Sequence, residues 1–299
     1  MKFLLTLFLL LMLGCSKNVR LEKPKLKRVA LVIGNQNYAE KKLKNPINDA
    51  VAIATVLENI GFDVLLKKDI TLSEFYEALD EVSFKIEKEN SIFFFYFAGH
   101  GNTLHKSSSE EYLMMTDRDE KVLISMYRLY DFLNTVSAKH NILVIDACRN
   151  YHKNYLLIKN HENERYIRSQ RGRGESLGFR GDFRSTISKG EGRVLPEHFI
   201  HDDTSLGFFP KSTIISYATM QNQIANDQSK IDKKHSPYTR ALIKYLDDEE
   251  IPIEEVFRRV RTELIRESNR TQINLEENSL ETNVWLVPKK VQATFVSPI

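Results

Sequence analysis

Apolar residues along the chain fall into short unbroken runs, separated by stretches in which they recur at helical spacing. The unbroken runs are 28–34 (Arg-Val-Ala-Leu-Val-Ile-Gly), 91–98 (Ser-Ile-Phe-Phe-Phe-Tyr-Phe-Ala) and 142–145, and residues 62–67 and 212–217 read as two further strands. Runs this short and this continuous predict strands buried on both faces, because a half-exposed strand would alternate and a helix would need more residues. Between them, Ala50, Ile53, Ala54 and Leu57 mark one face of a helix over 49–60, with Asn48 as its N-cap and Gly61 as its stop. Thr71 with Glu74 predicts a capping box at the head of a helix over 71–88. A helix over 125–136 is amphipathic, and Ser236-Pro237 opens another over 238–246. A further helix starts at Pro252, with Ile253, Val256, Phe257, Val260 and Leu264 on one face. Residues 112–115 predict a short strand or hairpin, and 281–287, with the single Trp285, a last strand. Strands alternating with helices imply an α/β fold: a mostly parallel sheet of about six strands with helices on both faces.

With 299 residues and 42% hydrophobic content, one main domain over 28–287 is expected. A net charge of +3 is slight for this length, and no helix carries a basic stripe, so nucleic acid is not an expected partner. Residues 1–15 differ in kind: Lys2, then a Leu- and Phe-rich run, then Gly14-Cys15. That is a secretory signal, too short to span a membrane. Leu-Met-Leu-Gly-Cys resembles a bacterial lipoprotein signal, with Cys15 as the lipidated first residue of the mature chain. An ordinary signal peptide or an uncleaved anchor is the alternative. The basic segment 16–27 reads as a tether favouring anionic headgroups. The expected location is therefore the bacterial cell envelope, lipid-anchored on the periplasmic side or at the outer membrane. Residues 151–205 hold no period and interleave arginines with glycines, as a mobile loop insertion would, and 288–299 form a tail.

The chemistry sits at two strand ends. The run 91–98 leads to His100 between two glycines, and the run 142–145 leads through Asp146 and Ala147 to Cys148. If these strands are parallel neighbours, imidazole and thiol stand side by side at the sheet's carboxyl edge, where ligands of such sheets gather. A thiol there becomes a strong nucleophile once the imidazole takes its proton. With Cys15 lipidated, Cys148 has no disulfide partner. The backbone amides of Gly101 and Cys148 are candidate oxyanion donors. Asp146, two residues before the nucleophile, and Asp49, just past the first strand, put carboxylates at the same edge. They suit a cationic substrate side chain, arginine above all. Asp227 is a third candidate. A helix-terminal carboxylate is the structural alternative for Asp49.

Strand-Gly-His-Gly followed about fifty residues later by strand-Asp-Ala-Cys-Arg resembles the caspase and metacaspase superfamily of cysteine peptidases. Asp146 and Asn150 stand where caspases carry glutamine and glycine, so the motif is similar to metacaspases and bacterial caspase-like proteins. The segments 214–239 and 277–280 share the resemblance. It implies a three-layer caspase-like fold, a His100–Cys148 dyad, and cleavage of protein or peptide substrates after Arg or Lys at an acidic pocket. Self-cleavage in the Arg-rich loop, at Arg171, Arg173 or Arg180, is expected on the same ground. No residue pattern requires a cofactor or metal; the resemblance leaves calcium activation open, and monomer or homodimer undecided. The competing readings are a catalytically silent envelope scaffold of the same fold and a thiol hydrolase acting on another amide.

Overall fold

The computed structural model describes residues 26–39, 41–103, 111–117, 123–150 and 208–287. The expectations for the signal with Cys15, most of the tether, the loop with Arg171, Arg173 and Arg180, and the tail fall outside the described residues. The main sheet takes β1 (Lys27–Gly34), β2 (Asp63–Lys68), β3 (Ser91–Ala98), β7 (His140–Asp146), β8 (Thr213–Tyr217) and β9 (Leu275–Asn278) in the order β2-β1-β3-β7-β8-β9. All neighbouring pairs are parallel except β8 with β9. A small antiparallel sheet, β4 (Gly101–Thr103), β5 (Glu111–Met114) and β6 (Leu123–Ser125), grows from the carboxyl end of β3.

The unbroken apolar runs have their cause in two covered faces. Ala30, Val32, Phe94, Tyr96, Ile142 and Val144 pack under α1 (Pro46–Asn59), α4 (Pro237–Ile243) and α5 (Ile253–Ser268). Their strand neighbours Val29, Leu31, Phe93, Phe95, Leu143 and Ile145 pack under α2 (Leu72–Ser83) and α3 (Met126–Val136). Phe93 through Phe97 are all fully buried. Each such aromatic contributes roughly 1.5–3 kcal/mol of burial, so β3 is the axis of a three-layer molecule.

Several boundaries differ from the sequence expectation. The α1 helix starts at Pro46 after Asn45, so Asn48 and Asp49 lie in its first turn rather than at its cap. Proline at the first helical position fits because that N–H needs no partner. The α2 capping box is formed as expected, but the helix ends at Ser83, where Phe84 turns out to solvent at 73% exposure. The last strand is 275–278, not 281–287. Val284 and Leu286 do alternate inward into the core, yet the backbone there bonds the entry to α5 through Ile253 N–H to Val284 O (2.8 Å). The true edge strand, Leu-Glu-Glu-Asn, has one apolar residue. An edge needs its backbone paired more than its side chains buried, and charge there discourages pairing with other chains.

Candidate active site

Register decides what meets at the carboxyl edge. Gly34 of β1 pairs with Ala98 of β3, and Ala98 with Asp146 of β7. His100 and Cys148 each lie two residues beyond the same rung, on strands roughly 4.8 Å apart. The ladder continues past the strand end, with Gly99 N–H donating to Asp146 O (3.2 Å). The edge is also where strand order reverses, since β1 has β2 on one side and β3 on the other.

The glycines flanking His100 serve close approach rather than an unusual φ, which neither of them has. A Cβ on Gly99 would meet Tyr38 Oη at 2.4 Å, and one on Gly101 would meet Cys148 O at 2.5 Å and the Ala147 Cβ at 2.8 Å. Tyr38 is the support of this turn. Its hydroxyl accepts from the His100 N–H (2.9 Å) and donates to Met114 O (3.1 Å), and its ring lies 4.5 Å from the imidazole. His100 Nε2 is 2.8 Å from Lys41 O. A carbonyl can only accept, so Nε2 carries the proton and Nδ1 is the basic nitrogen.

Gly101 N–H is aimed by the small sheet. Met114 N–H donates to His100 O, so His100 and Met114 form a hydrogen-bonded pair and Gly101 with Leu113 the next, non-bonded pair. Gly101 N–H therefore points away from β5, to the side where Thr103 N–H donates to Asn150 O (3.3 Å). That side carries the Cys148–Asn150 segment. Cys148 Sγ is half-buried and contacts Ala225 O at 3.7 Å. Burial pushes the thiol up, and the nearby Asp146 and Asp227 carboxylates add to this against the Ala225 contact and Lys41.

The structure brings the predicted carboxylates to this edge from three elements. Asp146, at the end of β7, accepts from Thr239 Oγ1 (2.8 Å) and from Ser236 Oγ. Burial, with the repulsion of Asp49 behind it, pushes it up to about 7. Asp49, in the first turn of α1, is 1% exposed and accepts from His235 Nδ1 (2.9 Å) and Ser236 N–H (3.2 Å). Its burial outweighs these bonds and holds it at about 6. Asp227 accepts from Lys44 N–H (2.6 Å) and Asn45 N–H (3.2 Å) and acts on both other carboxylates through space. A burial this deep is more than a helix-terminal carboxylate needs. No group of three metal-ligating side chains among the described residues could hold an ion. The inner oxygens of Asp49 and Asp146 are already engaged by hydroxyl, amide and imidazole donors, so this set does not fit calcium, which takes six to eight oxygens.

Behind the thiol, Arg149 is 5% exposed and pairs with Glu111 of β5. Its guanidinium lies 3.9 Å over the Tyr217 ring and donates to Thr219 O (3.3 Å). This ties the peptide after Cys148 to both sheets.

Sequence pattern missed Tyr38, Lys41, Glu111, His235, Ser236 and Thr239. Lys41 acts through its carbonyl, which no side-chain identity reports. Ser236 was legible as a helix opening, and its second task at Asp146 depends on where α4 lands.

A mostly parallel three-layer sheet, with histidine and cysteine delivered by adjacent strands to its carboxyl edge, defines a caspase-like α/β protein. The chain belongs to the caspase domain family, peptidase family C14, whose family model matches residues 27–284. Over 128 residues it is 29% identical to human mucosa-associated lymphoid tissue lymphoma translocation protein 1. That match takes in 41% of this chain and only 15% of the human protein's length. Among solved structures, caspase-1 from Spodoptera frugiperda superposes with a TM-score of 0.57 at 12% identity, over 90% of this chain and 92% of that one. The Drosophila initiator caspase Dronc gives 0.53 at 10% identity, over 88% and 85%. At such identities these structures speak for the fold alone.

Proposed function

We propose that this chain is a cysteine endopeptidase that cuts peptide bonds after Arg or Lys. The observation that carries this reading is the convergence of Asp49, Asp146 and Asp227 on the strand edge that bears Cys148. His100 Nδ1 takes the thiol proton as Sγ attacks the scissile carbonyl carbon, and the carbonyl π electrons move to oxygen. The Gly101 and Cys148 amides receive that oxyanion. On collapse the C–N bond breaks, the amine leaves with the proton held by His100, and a thioester remains. Water, deprotonated by the same imidazole, adds to the thioester carbonyl carbon; the C–S bond then breaks, the acid is released and the imidazolium returns its proton to Sγ. Because Asp146 and Asp227 are among the groups that keep the thiol protonated, a substrate cation that neutralises them also eases its ionisation. Substrate charge and nucleophile activation are thereby coupled. The buried Asp49 and Asp146 and the Nε2-anchored histidine support an active enzyme over a silent scaffold or a hydrolase of some other amide.

The test is covalent. A peptidyl chloromethyl ketone with Arg before the ketone is expected to alkylate Cys148, located by tryptic mass spectrometry, and the Asp analogue to leave it unlabelled. Labelling by the Asp analogue alone sinks the proposal. Self-cleavage after Arg171, Arg173 or Arg180 and a lipid on Cys15 at the cell envelope complete the reading. Intact mass of active protein recovered from membranes reads both, and an unnicked, unlipidated chain counts against them.

A further inference from the structure

The two-residue turn His235-Ser236, at the entry to α4, touches both inner carboxylates of the acidic pocket. His235 Nδ1 donates to Asp49 Oδ1 at 2.9 Å, and Ser236 N–H donates to the same carboxylate at 3.2 and 3.3 Å. Ser236 Oγ turns the other way, donating to Asp146 Oδ2 while accepting from Thr239 N–H at 2.9 Å to cap α4. The cap fixes the hydroxyl, and the hydroxyl fixes Asp146. The imidazole is 18% exposed, so it stands in the pocket wall with one edge toward solvent.

We propose that His235 is a specificity-determining residue, the resident counter-cation of Asp49, which keeps that carboxylate ionised and aimed until the cation of an Arg or Lys substrate arrives. This rests on the acidic pocket being the site for that side chain. The physical need is plain: two deeply buried carboxylates beside a third repel one another, and without an internal cation one of them binds a proton and stops attracting substrate. The groups facing His235 are Asp49 from α1 and, from its own loop, Asp232 and Lys234; Asp227 acts on Asp49 in turn. Asp49 draws the imidazole's affinity for its proton up, while His235 holds Asp49 down against burial. With the imidazolium removed, Asp49 protonates at higher pH and the pocket loses charge from the acid side.

The experiment is the pH profile of kcat/KM for an Arg peptide in the full-length chain and in His235→Gln, which keeps a donor for Asp49 but no charge. Below the decline that Asp146 sets near pH 7, the expected result is that the second step of the acidic limb, that of Asp49 at about 6, moves up by about one pH unit. At pH 6, for a step moved from about 6 to about 7, this is about a fivefold higher KM with kcat within about twofold; at pH 8 KM is equal or lower. A merely structural role would instead lower kcat at every pH without moving the limb. Should the variant fail to fold, NMR of the His235 ring in the unsubstituted protein decides, with agmatine as probe: saturating agmatine is expected to lower the ring's titration midpoint, and an unmoved midpoint overturns the inference. A wild type that turns over Arg peptides while His235→Gln gives a superimposable profile overturns this inference alone. A wild type that turns over neither Arg nor Lys peptides overturns the pocket itself.

Discussion

At Asp146 function and stability pull against each other. Its carboxyl is pushed up to about 7 by burial, so between about pH 4 and 7 the folded protein holds a proton that the unfolded chain has released. Stability contributed by this group therefore falls as pH rises through that window, and above pH 7 the buried charge is a standing cost. Asp146→Asn can still accept from Ser236 and Thr239. It is expected to raise stability at pH 8 by on the order of 2 kcal/mol in denaturant titration, with little change at pH 4, and to lose Arg turnover. Equal destabilisation at both pH values would contradict the assignment. In the unsubstituted protein, Arg turnover should decline as pH drops below 7, as Asp146 takes up its proton. Asp146 and Cys148 were legible as a pair because strand residues two apart share a face. The depth of Asp146 was not, since its partners Ser236 and Thr239 are some ninety residues further along.

At the scale of elements, the small sheet aims the site. β5 fixes which way Gly101 N–H points and supplies Glu111 to Arg149. Burial pushes Glu111 up to about 7 even beside that guanidinium, so the pair is held by its geometry and by what removing one partner would expose. Glu111→Ala would leave Arg149 buried beside Tyr217 with its main anion gone. The expected loss is about 3 kcal/mol in urea denaturation, with kcat reduced as the peptide after Cys148 loosens. A neutral outcome would mean that Glu277, 4.0 Å from Arg149, suffices alone. Main-sheet strands were readable from sequence where both faces are covered, because continuous burial leaves continuous apolar runs. β9 was not, since an edge strand writes its pairing in backbone bonds, and Val284 and Leu286 mimicked a strand while packing without a ladder. A short β-element at 112–115 was visible, one residue off the observed 111–114, but the ion pair of Glu111 with Arg149 was not.

Across the whole molecule, two helical layers clamp one sheet whose strands β1, β3 and β7 end level, and that alignment turns separate sequence motifs into one edge. The layer on the α1, α4 and α5 side brings Asp49 and the donors Ser236 and Thr239 to Asp146 at the end of β7, while Asp227 comes from the loop after β8; the opposite layer supports the sheet from behind. The family match spans this entire framework, from residue 27 to 284. Charge selection at that edge is the central claim, and it is tested most directly by turnover of fluorogenic peptides carrying Arg, Lys or Asp before the scissile bond, with Cys148→Ala as control. The account predicts cleavage after Arg and Lys that disappears in Cys148→Ala, and none after Asp. Cleavage after Asp, or Arg turnover that survives in Cys148→Ala, would contradict it.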